Sequence, residues 1–439
     1  MFKPLQFLAM LTRAFTKPAA AMFLRLAEGW ALCPSRRTLT GIYRFADPQR
    51  TTNVEAVHYF FRDAEWKFAE LWRDWALLLV TCLAADEPVL TLTIDDTTHH
   101  KTGPCINGAR TCRDAIRSSQ KKLVCCWALQ FAPLCLLVHP PWGGEPLSLP
   151  LNIRLNRKAA DGEEPVTLLD HTEAMLRELA EWFPDKRFRL VADGAYAPLI
   201  GRKLPRTEVI SRMRSDAAIF DLPPKRKPGQ RGRPPMKGKR LPSPKVMAGQ
   251  VRKWRRVETT ERGVKRERRV YTRRVIWAHI SKTPVWLVIS RDPSGVEADD
   301  FFFTTKAIRP GVTPEAKLGA RVVSHFADRW SVEDTFRNVK QFLGAEEPQS
   351  WKRAGPERAG AFSYLMYGAI WLERIIQEGQ PVAHLDRPWY TGKTAVSFQD
   401  ALADARTRLW EERIKGTSAS KNDLMNIQKT LIEAVAWAS

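Results

Sequence analysis

Two adjacent carboxylates, Asp95 and Asp96, end an alternating apolar stretch in the segment TLTIDDTTHHKTG, residues 91–103. The same arrangement recurs in FRLVADGAYA, where an apolar run ends at Asp193 and a glycine starts a turn. In an open α/β sheet the carboxyl ends of the strands form the crevice where ligands bind. Aspartate is also a common turn former, so neither motif alone establishes a site.

A third carboxylate lies in FADRWSVEDTFRNVKQFLG, residues 326–344, which has the apolar spacing of a single helix. One face of that predicted helix carries Phe326, Arg329, Glu333 and Lys340. The adjoining apolar stripe consists of Val332, Phe336, Val339 and Leu343. Because this stripe should press the helix onto a sheet, we expect Glu333 at the edge between core and crevice. The alternative is an exposed, salt-bridged helix face.

The elements that must position these side chains follow from the hydrophobic pattern. Helical spacing up to about Ala85 predicts an all-helical N-terminal domain over residues 1–85. β-rich runs interrupted by one helical stretch then predict the first part of an α/β core over residues 86–205. Three further segments are predicted. They are a β-rich insertion at 206–312, the last part of the core with the Glu333 helix at 313–380, and a helical C-terminal region at 381–439.

The net charge of +22 is concentrated in one segment of the predicted insertion. Residues 225–274 contain twenty lysines and arginines against three acidic residues. Within it, KRKPGQRGRPPMKGKRLPSP is rich in proline, glycine and cations and should form an extended arm, which attracts phosphate backbones through counterion release. Its RGRPP core resembles AT-hook peptides that bind the minor groove. The expected DNA-binding cations are Arg231, Arg233, Lys237, Lys239 and Arg240. The alternative is a solvated loop or an RNA-binding surface.

Together these motifs resemble a known family. An aspartate closes one strand in IDDTT, another closes a later strand in VADGAY, and a glutamate lies within Phe-x2-Arg-x3-Glu-x6-Lys after a basic insertion. The combination spans roughly residues 40–375 and is similar to DDE transposases of bacterial insertion sequences, of the branch with a Tyr-Arg-Glu-Lys signature and a β-rich insertion. The resemblance implies an RNase H-like, mixed-sheet α/β catalytic core in which Asp95, Asp193 and Glu333 are the catalytic and metal-binding triad.

Two details of the motifs bear on individual residues. The resemblance implies a DNA contact at Phe326, although the family has tyrosine there, so a hydroxyl that could bond a DNA phosphate is absent while the ring remains. The family pattern places the catalytic aspartate two residues before a threonine, which favours Asp95 before Thr97, although Asp96 precedes Thr98 in the same way. Neighbouring side chains on a strand point to opposite faces, so only one of the two aspartates can join the other carboxylates.

The resemblance implies phosphodiester hydrolysis and transesterification on double-stranded DNA, by a homodimer that holds paired transposon ends. Two Mg²⁺ or Mn²⁺ ions about 3.5–4 Å apart activate the attacking hydroxyl and stabilise the leaving oxygen in such a displacement. Carboxylate oxygens suit these cations. Arg329 and Lys340 would bind phosphates near the cut, and one of Trp254, Trp277 and Trp286 could stack a flipped base, although core packing is the commoner role of a tryptophan.

The cysteines and the apolar runs favour a cytoplasmic protein, and the resemblance implies that it is bacterial and nucleoid-associated. Seven cysteines, an odd number with two adjacent, fit reduced thiols better than a disulfide framework. The longest apolar run, WALLLVTCLAA, is too short to span a bilayer, and the N-terminus lacks a signal-peptide cleavage pattern. A structural zinc site among His99, His100, Cys105 and Cys112 is disfavoured relative to ordinary strand and loop positions, since no Cys-x-x-Cys pair is present.

Two other functions compete with a transposase. A catalytically inactive, transposase-derived DNA-binding protein would keep the basic arm but would usually lose a carboxylate, and all three are present. A glycosidase needs only two carboxylates and no basic arm, so the concentrated charge argues against it. Residues 36–45 could read DNA ends near a recognition helix, although they form no recognisable helix-turn-helix motif.

Overall fold

The computed structural model describes most of the chain, with gaps. The described residues are 3–114, 117–119, 121–158, 162, 164–224, 233, 235–306, 315–377, 393, 395–416, 425 and 428–432. Among the helices of these residues, we find none with the length and apolar character that a bilayer crossing requires.

Helices occupy the N-terminal part of the chain, as the periodicity predicts. They are a 3-10 helix at Gln6–Ala14, α1 (Lys17–Leu32), α2 (Leu39–Ala46), α3 (Val54–Arg62) and α4 (Phe68–Leu83). Their buried faces belong to the same hydrophobic core as the sheet and the later helices. The indole of Trp30 donates a hydrogen bond to the carbonyl of Leu343 at 2.9 Å, and that of Trp75 donates to Pro150 at 2.7 Å. These helices are therefore integrated with the sheet.

In the described part of the chain, eleven strands form one sheet. They are β1 (Val89–Ile94), β2 (Thr97–His100), β3 (Arg110–Arg113), β4 (Cys125–Val138), β5 (Leu147–Leu155), β6 (Arg187–Ala192), β7 (Thr207–Arg212), β8 (Arg255–Glu261), β9 (Val264–Val275), β10 (Val285–Arg291) and β11 (Asp300–Thr304). The described helices after β1 are α5 (Leu168–Trp182), a 3-10 helix at Gly194–Gly201, α6 (Pro244–Gln250), α7 (Glu315–Asp328), α8 (Ser331–Leu343), α9 (Gly355–Ile376) and α10 (Phe398–Gly416).

The centre of the sheet has the strand arrangement of an RNase H-like core. Strands β5, β4 and β1 are antiparallel neighbours, whereas β1, β6 and β7 are parallel. Helix α5 makes the crossover from β5 to β6, and it begins with a capping box between Thr167 and Asp170. The mixed α/β fold predicted for the core is confirmed.

The predicted β-rich insertion continues this core sheet. Strand β11 pairs antiparallel with β7, and β10, β9 and β8 follow in order outward. Strand β7 follows the predicted boundary at 206 yet pairs with β6 in the parallel core. The hydrophobic pattern marks where a strand begins and ends, but its pairing partner depends on contacts distant in sequence.

Helix α9 crosses the core and is buried on nearly all sides, so its sequence shows little amphipathic periodicity. Two glycines allow its close approach to neighbouring aromatic rings. A Cβ atom at Gly360 would lie 2.4 Å from a ring carbon of Phe131 on β4, and one at Gly368 would lie 2.6 Å from the ring of Trp75 on α4. Helix α9 supports α8, whose predicted core stripe is buried as expected.

Candidate active site

Two of the predicted catalytic carboxylates lie at adjacent strand ends. Parallel pairing of β1 with β6 holds Ile94 level with Ala192, and Asp95 and Asp193 are the next residues of the two strands. Since neighbouring strands are about 4.8 Å apart, the two backbones carry their carboxylates side by side at the carboxyl edge of the sheet. Asp193 is exposed, whereas Asp95 is half-buried.

The helix that carries Glu333 is shorter than the sequence pattern predicts. A single helix over 326–344 is wrong, because α7 ends at Asp328 and α8 begins at Ser331. At the junction the amide of Glu333 donates to the carbonyl of Trp330, three residues back. The hydroxyl of Ser331 donates to the carbonyl of Asp328 at 2.8 Å, which competes with continuous helical hydrogen bonding. The apolar spacing is preserved across the break, so periodicity alone does not reveal it.

Arg329 fills this junction and joins two of the carboxylates. Its Nη1 donates to Oδ2 of Asp95 at 3.0 Å, and its Nη2 donates to Oε1 of Glu333 at 3.0 Å. Arg329 is only 7% exposed, so both ion pairs are largely shielded from solvent. With Asp193 beside Asp95, the three predicted triad residues lie around one edge of the sheet.

The negative charge at this edge exceeds what Arg329 neutralises. Burial raises the pKa of Asp95 from 3.8 to about 6, against the attraction of Arg329 and with further repulsion from Asp96 and Asp193. An ionised Asp95 is therefore costly in the absence of another cation. This electrostatic imbalance favours the binding of a positive ion at neutral pH.

Asp96 faces a different partner from its neighbour. Its Oδ2 accepts a hydrogen bond from Nε2 of Gln130 on β4 at 2.6 Å, and burial raises its pKa. Asp95 instead faces Arg329, as the alternation of neighbouring side chains requires. Only Asp95 of this pair is thus connected to Glu333.

Sequence reasoning missed Tyr196, which lies beneath the carboxylates. The 3-10 helix after β6 brings it back under the sheet edge, where its hydroxyl is buried without a hydrogen-bond partner among the described residues. Burial raises the pKa of Tyr196 well above its usual value, as does repulsion from Asp96, Asp95 and Asp193. Its spacing, three residues after a strand-end aspartate, is a signal that could have identified it.

The other two residues of the predicted helix face have different environments. Lys340 lies two turns after Glu333, where its Nζ donates to the carbonyl of Thr98 at 2.7 Å and lies 3.6 Å from Glu346. Phe326 belongs to α7, is 9% exposed and packs against Phe302 with ring centroids 4.7 Å apart. Lys340 is therefore close to the strand that follows Asp95, whereas Phe326 has a packing role in this structure.

A crevice of about 520 Å³ opens beside Asp193 and Arg329. Glu261 and Arg262, at the turn between β8 and β9, line it, and the amide of Arg262 donates to Asp328 at 3.0 Å. Trp330 lines the same crevice with 45% of its surface exposed, and the guanidinium of Arg262 lies 5.9 Å from its ring. Sequence reasoning missed this aromatic side chain because stacking residues were sought only in the insertion.

The three tryptophans proposed for stacking all have packing roles. Trp277 is 5% exposed and contacts Phe303 with centroids 5.6 Å apart. Trp254 lies under the guanidinium of Arg291 at 4.3 Å, and Trp286 is half-buried against the core.

The basic arm is described in part. Arg231 lies outside the described residues. The other predicted DNA-binding cations, Arg233, Lys237, Lys239 and Arg240, are all exposed. The ammonium of Lys237 lies 4.0 Å from the ring centroid of Phe220, which pairs with Arg240 in a short β-bridge. The described part of the arm therefore presents its charges at the surface.

The triad residues supply only oxygen ligands, the donor set that Mg²⁺ and Mn²⁺ prefer. Asp95 and Glu333 already share one cationic group, the guanidinium of Arg329, so these two carboxylates fit a cation site. Within the described ranges, the one group of three or more potential ligands with all its atoms within 4.8 Å is elsewhere, at His100, Asp114 and Cys126. The ligand atoms of the three predicted triad residues are therefore not all within 4.8 Å of one another in this structure.

The sheet thus has an RNase H-like strand order, with two predicted catalytic carboxylates at neighbouring strand ends and the third on α8, beyond the insertion strands. The chain belongs to the DDE superfamily endonuclease family, whose sequence profile matches residues 6–284. This match includes Asp95 and Asp193 and ends before Glu333. Membership of the DDE superfamily, which the motifs indicate, is confirmed, while the bacterial insertion-sequence branch with a Tyr-Arg-Glu-Lys signature stays a prediction.

Comparison with solved structures finds a cryo-EM structure of a piggyBac transposase synaptic complex with hairpin DNA. The similarity covers 93% of this chain and 75% of that chain, with 10% sequence identity and a TM-score of 0.40. None of the curated proteins compared with the sequence matches it.

Proposed function

We propose that this DDE-family endonuclease is a DNA transposase that cuts the ends of its element and joins them to target DNA. Asp95, Asp193 and Glu333 are the proposed catalytic and metal-binding carboxylates. The observation that carries the proposal is the pairing of Arg329 with Asp95 and Glu333, next to Asp193 on the neighbouring strand end. The element is a bacterial insertion sequence in this proposal, and a homodimer holds its paired ends in the cytoplasm, at the nucleoid.

The proposed reaction is an in-line displacement at a phosphodiester. Water attacks in the first cut, and the freed 3′-hydroxyl attacks target DNA in strand transfer. Two divalent cations, Mg²⁺ or Mn²⁺, would activate the nucleophile and stabilise the leaving oxygen when the carboxylates bind them. Asp95 must lose its carboxyl proton to serve as a ligand, and a pKa of about 6 permits this at neutral pH.

Cationic side chains of this chain would orient the DNA. Arg329 would release at least one carboxylate when cations bind, and its guanidinium could then hold a phosphate with two hydrogen bonds. Lys340 would bind a phosphate near the cut, since its ammonium already lies beside strand β2. The arm would hold the flanking duplex through charge, which carries no sequence information by itself.

Neutralising the described part of the arm is expected to flatten the salt dependence of DNA binding. For duplex DNA the slope of log affinity against log salt changes by about 0.9 for each phosphate contact, so losing four contacts makes it shallower by up to about 3–4. Fluorescence anisotropy across a salt series measures this slope for a chain with glutamine at Arg233, Lys237, Lys239 and Arg240. Provided that circular dichroism shows an unchanged fold, an unchanged slope would remove these residues from the interface.

Cleavage of DNA by Glu333→Gln tests the proposed function directly. The substrate is duplex DNA that flanks the coding sequence of this chain, where element ends would lie, with Mg²⁺, Mn²⁺ or EDTA. Removing an outer-shell partner of a metal ligand costs about 10–100-fold, so losing a ligand should cost at least about a hundredfold in rate. DNA binding should persist, because the amide retains the shape of the side chain.

The matched control is Asp334→Asn, the neighbouring carboxylate on α8. Asp334 pairs with Arg337 at 2.7 Å and Arg262 at 3.4 Å, away from Asp95. Its variant should cleave at nearly the native rate. Binding without metal-dependent cleavage by the native chain would instead support the catalytically inactive, transposase-derived DNA-binding protein.

A further inference from the structure

A second group of potential metal ligands lies where β2, β3 and β4 meet, away from the triad. It consists of His100 at the end of β2, Asp114 directly after β3 and Cys126 at the start of β4. All three ligand atoms lie within 4.8 Å of one another, and Nε2 of His100 is 3.8 Å from Oδ2 of Asp114. The three side chains therefore converge on one small volume.

The sheet register explains why these side chains share a face. His100 is paired with Ala128 on β4, and Cys126 lies two residues from Ala128 on the same face. On the other edge of β4, Cys112 is paired with Cys126, and Asp114 lies two residues beyond Cys112. Alternation along each strand thus brings all three ligands to one face.

The surroundings hold two of the ligands in place and leave a path from solvent. The Asp114 side chain is 4% exposed and its Oδ1 accepts a hydrogen bond from the amide of Arg117 at 3.0 Å, while Oδ2 lies between His100 at 3.8 Å and the exposed guanidinium of Arg117 at 3.6 Å. The amide of His100 donates to Oε1 of Glu346 at 3.0 Å, which anchors the end of β2. The His100 side chain is 44% exposed, so an ion can enter from that side.

We propose that His100, Asp114 and Cys126 bind one Zn²⁺ ion, with water in the fourth position. Imidazole nitrogen, carboxylate oxygen and thiolate sulfur are the usual zinc ligands, at about 2.0–2.3 Å. Tetrahedral binding places ligand atoms roughly 3.3–3.8 Å apart, so side-chain movements of about 1 Å complete the site. The thiol proton of Cys126 is released to solvent on binding.

The donor set separates this site from the proposed catalytic one. Sulfur and imidazole ligands select Zn²⁺ over Mg²⁺, whereas the oxygen-only triad prefers Mg²⁺ or Mn²⁺. The zinc site therefore stands independently of the proposed transposase activity. A bound ion would tie β2 to β3 and β4, and thereby fix the strand whose Thr98 carbonyl holds Lys340.

This group differs from the zinc ligands considered from sequence spacing. Of His99, His100, Cys105 and Cys112, only His100 is a member. His99 is fully buried and its Nε2 forms a hydrogen bond with the hydroxyl of Tyr364 at 3.1 Å. Ligands from separate strands have no fixed sequence spacing, so a Cys-x-x-Cys search cannot find them.

Cobalt and zinc binding by the full chain test the site. The chain is stripped of metal with a chelator, kept reduced, and titrated with Co²⁺ and Zn²⁺ in excess Mg²⁺, which occupies the carboxylates. We expect one Zn²⁺ per chain and a sulfur-to-cobalt charge-transfer band that Zn²⁺ displaces. Cys126→Ser should abolish the band, and His100→Gln should weaken Zn²⁺ binding by at least about a hundredfold.

Cys125→Ser is the matched control, because Cys125 is the adjacent residue, is exposed and points to the opposite face. It should keep the band and the affinity, as should Glu333→Gln. Absence of the band in the native chain, or its persistence in Cys126→Ser, would overturn the proposal. If Cys126→Ser fails to fold, the exposed His100→Gln variant decides, since unaltered zinc affinity in that variant would also overturn it.

Discussion

Asp95→Asn is expected to slow DNA cleavage by at least about a hundredfold, whereas Asp96→Asn should slow it by no more than about tenfold. Asp95 is the member of the pair that shares Arg329 with Glu333, while Asp96 accepts a hydrogen bond from Gln130. The amide removes the charged ligand at position 95 but can still accept the Gln130 hydrogen bond at position 96. Single-turnover cleavage of a labelled duplex in Mg²⁺ and in Mn²⁺ measures both rates.

The two variants differ by one position, so each is the control for the other. A loss confined to Asp96→Asn would transfer the ligand role to Asp96, and equal rates in all three proteins would remove this strand end from the chemistry. The native rate should also fall as pH drops below about 6, because protons then compete with cations for Asp95. Asp95→Asn should lack this pH dependence in whatever activity remains.

Arg329→Ala is expected to lower the free energy of unfolding by about 3–5 kcal/mol near neutral pH without divalent ions. The substitution removes the shared counter-charge of two carboxylates and leaves them to repel each other. The Glu333 side chain is 35% exposed, so solvent screens its ion pair with Arg329. We therefore expect a decrease in the free energy of unfolding at the lower end of this range. Urea denaturation of the native and variant chains, with and without Mg²⁺ or Mn²⁺, measures the effect.

The decrease in stability caused by Arg329→Ala should depend on pH because Asp95 titrates. Its pKa is raised from 3.8 to about 6, so the folded state binds more protons than the unfolded state in that window, and stability falls as pH rises through it. Arg329 lowers the pKa of Asp95, and its removal should raise that pKa further. The decrease in the free energy of unfolding caused by Arg329→Ala should therefore become smaller as the pH is lowered towards about 4. It should also become smaller when a divalent cation replaces the lost positive charge.

Arg337→Ala is the matched control for this experiment. Arg337 lies on α8, the helix that carries Glu333, pairs with Asp334 and has a side chain that is 60% exposed. Its removal should change the free energy of unfolding by no more than about 0.5–1 kcal/mol. A deficit in Arg329→Ala that is insensitive to both pH and metal would contradict electrostatic pairing as its cause.

Those parts of the candidate site that lie within single strands or helices were predictable from the hydrophobic pattern of the sequence. Apolar runs that end at Asp95 and Asp193 predict strand ends, since each run is one element with its own hydrophobic periodicity. The position of Glu333 beside a buried stripe was likewise readable, because helical spacing persists across the break before α8. Trp330 was missed because stacking residues were sought only in the insertion, and the position of Tyr196 beneath the carboxylates depends on the 3-10 helix that follows β6.

Local pattern was enough to predict the residue types and the elements that carry them: strands closed by carboxylates, an amphipathic segment bearing Glu333, and a concentrated basic segment. Which of these elements contact one another depends on how the chain packs. Arg329 and Asp95 are separated by 234 residues, and β7 carries the insertion strands outward from the core sheet. Hydrophobic periodicity reports the environment of one element at a time, whereas ion pairs and ligand groups such as that of His100 form between elements that packing brings together.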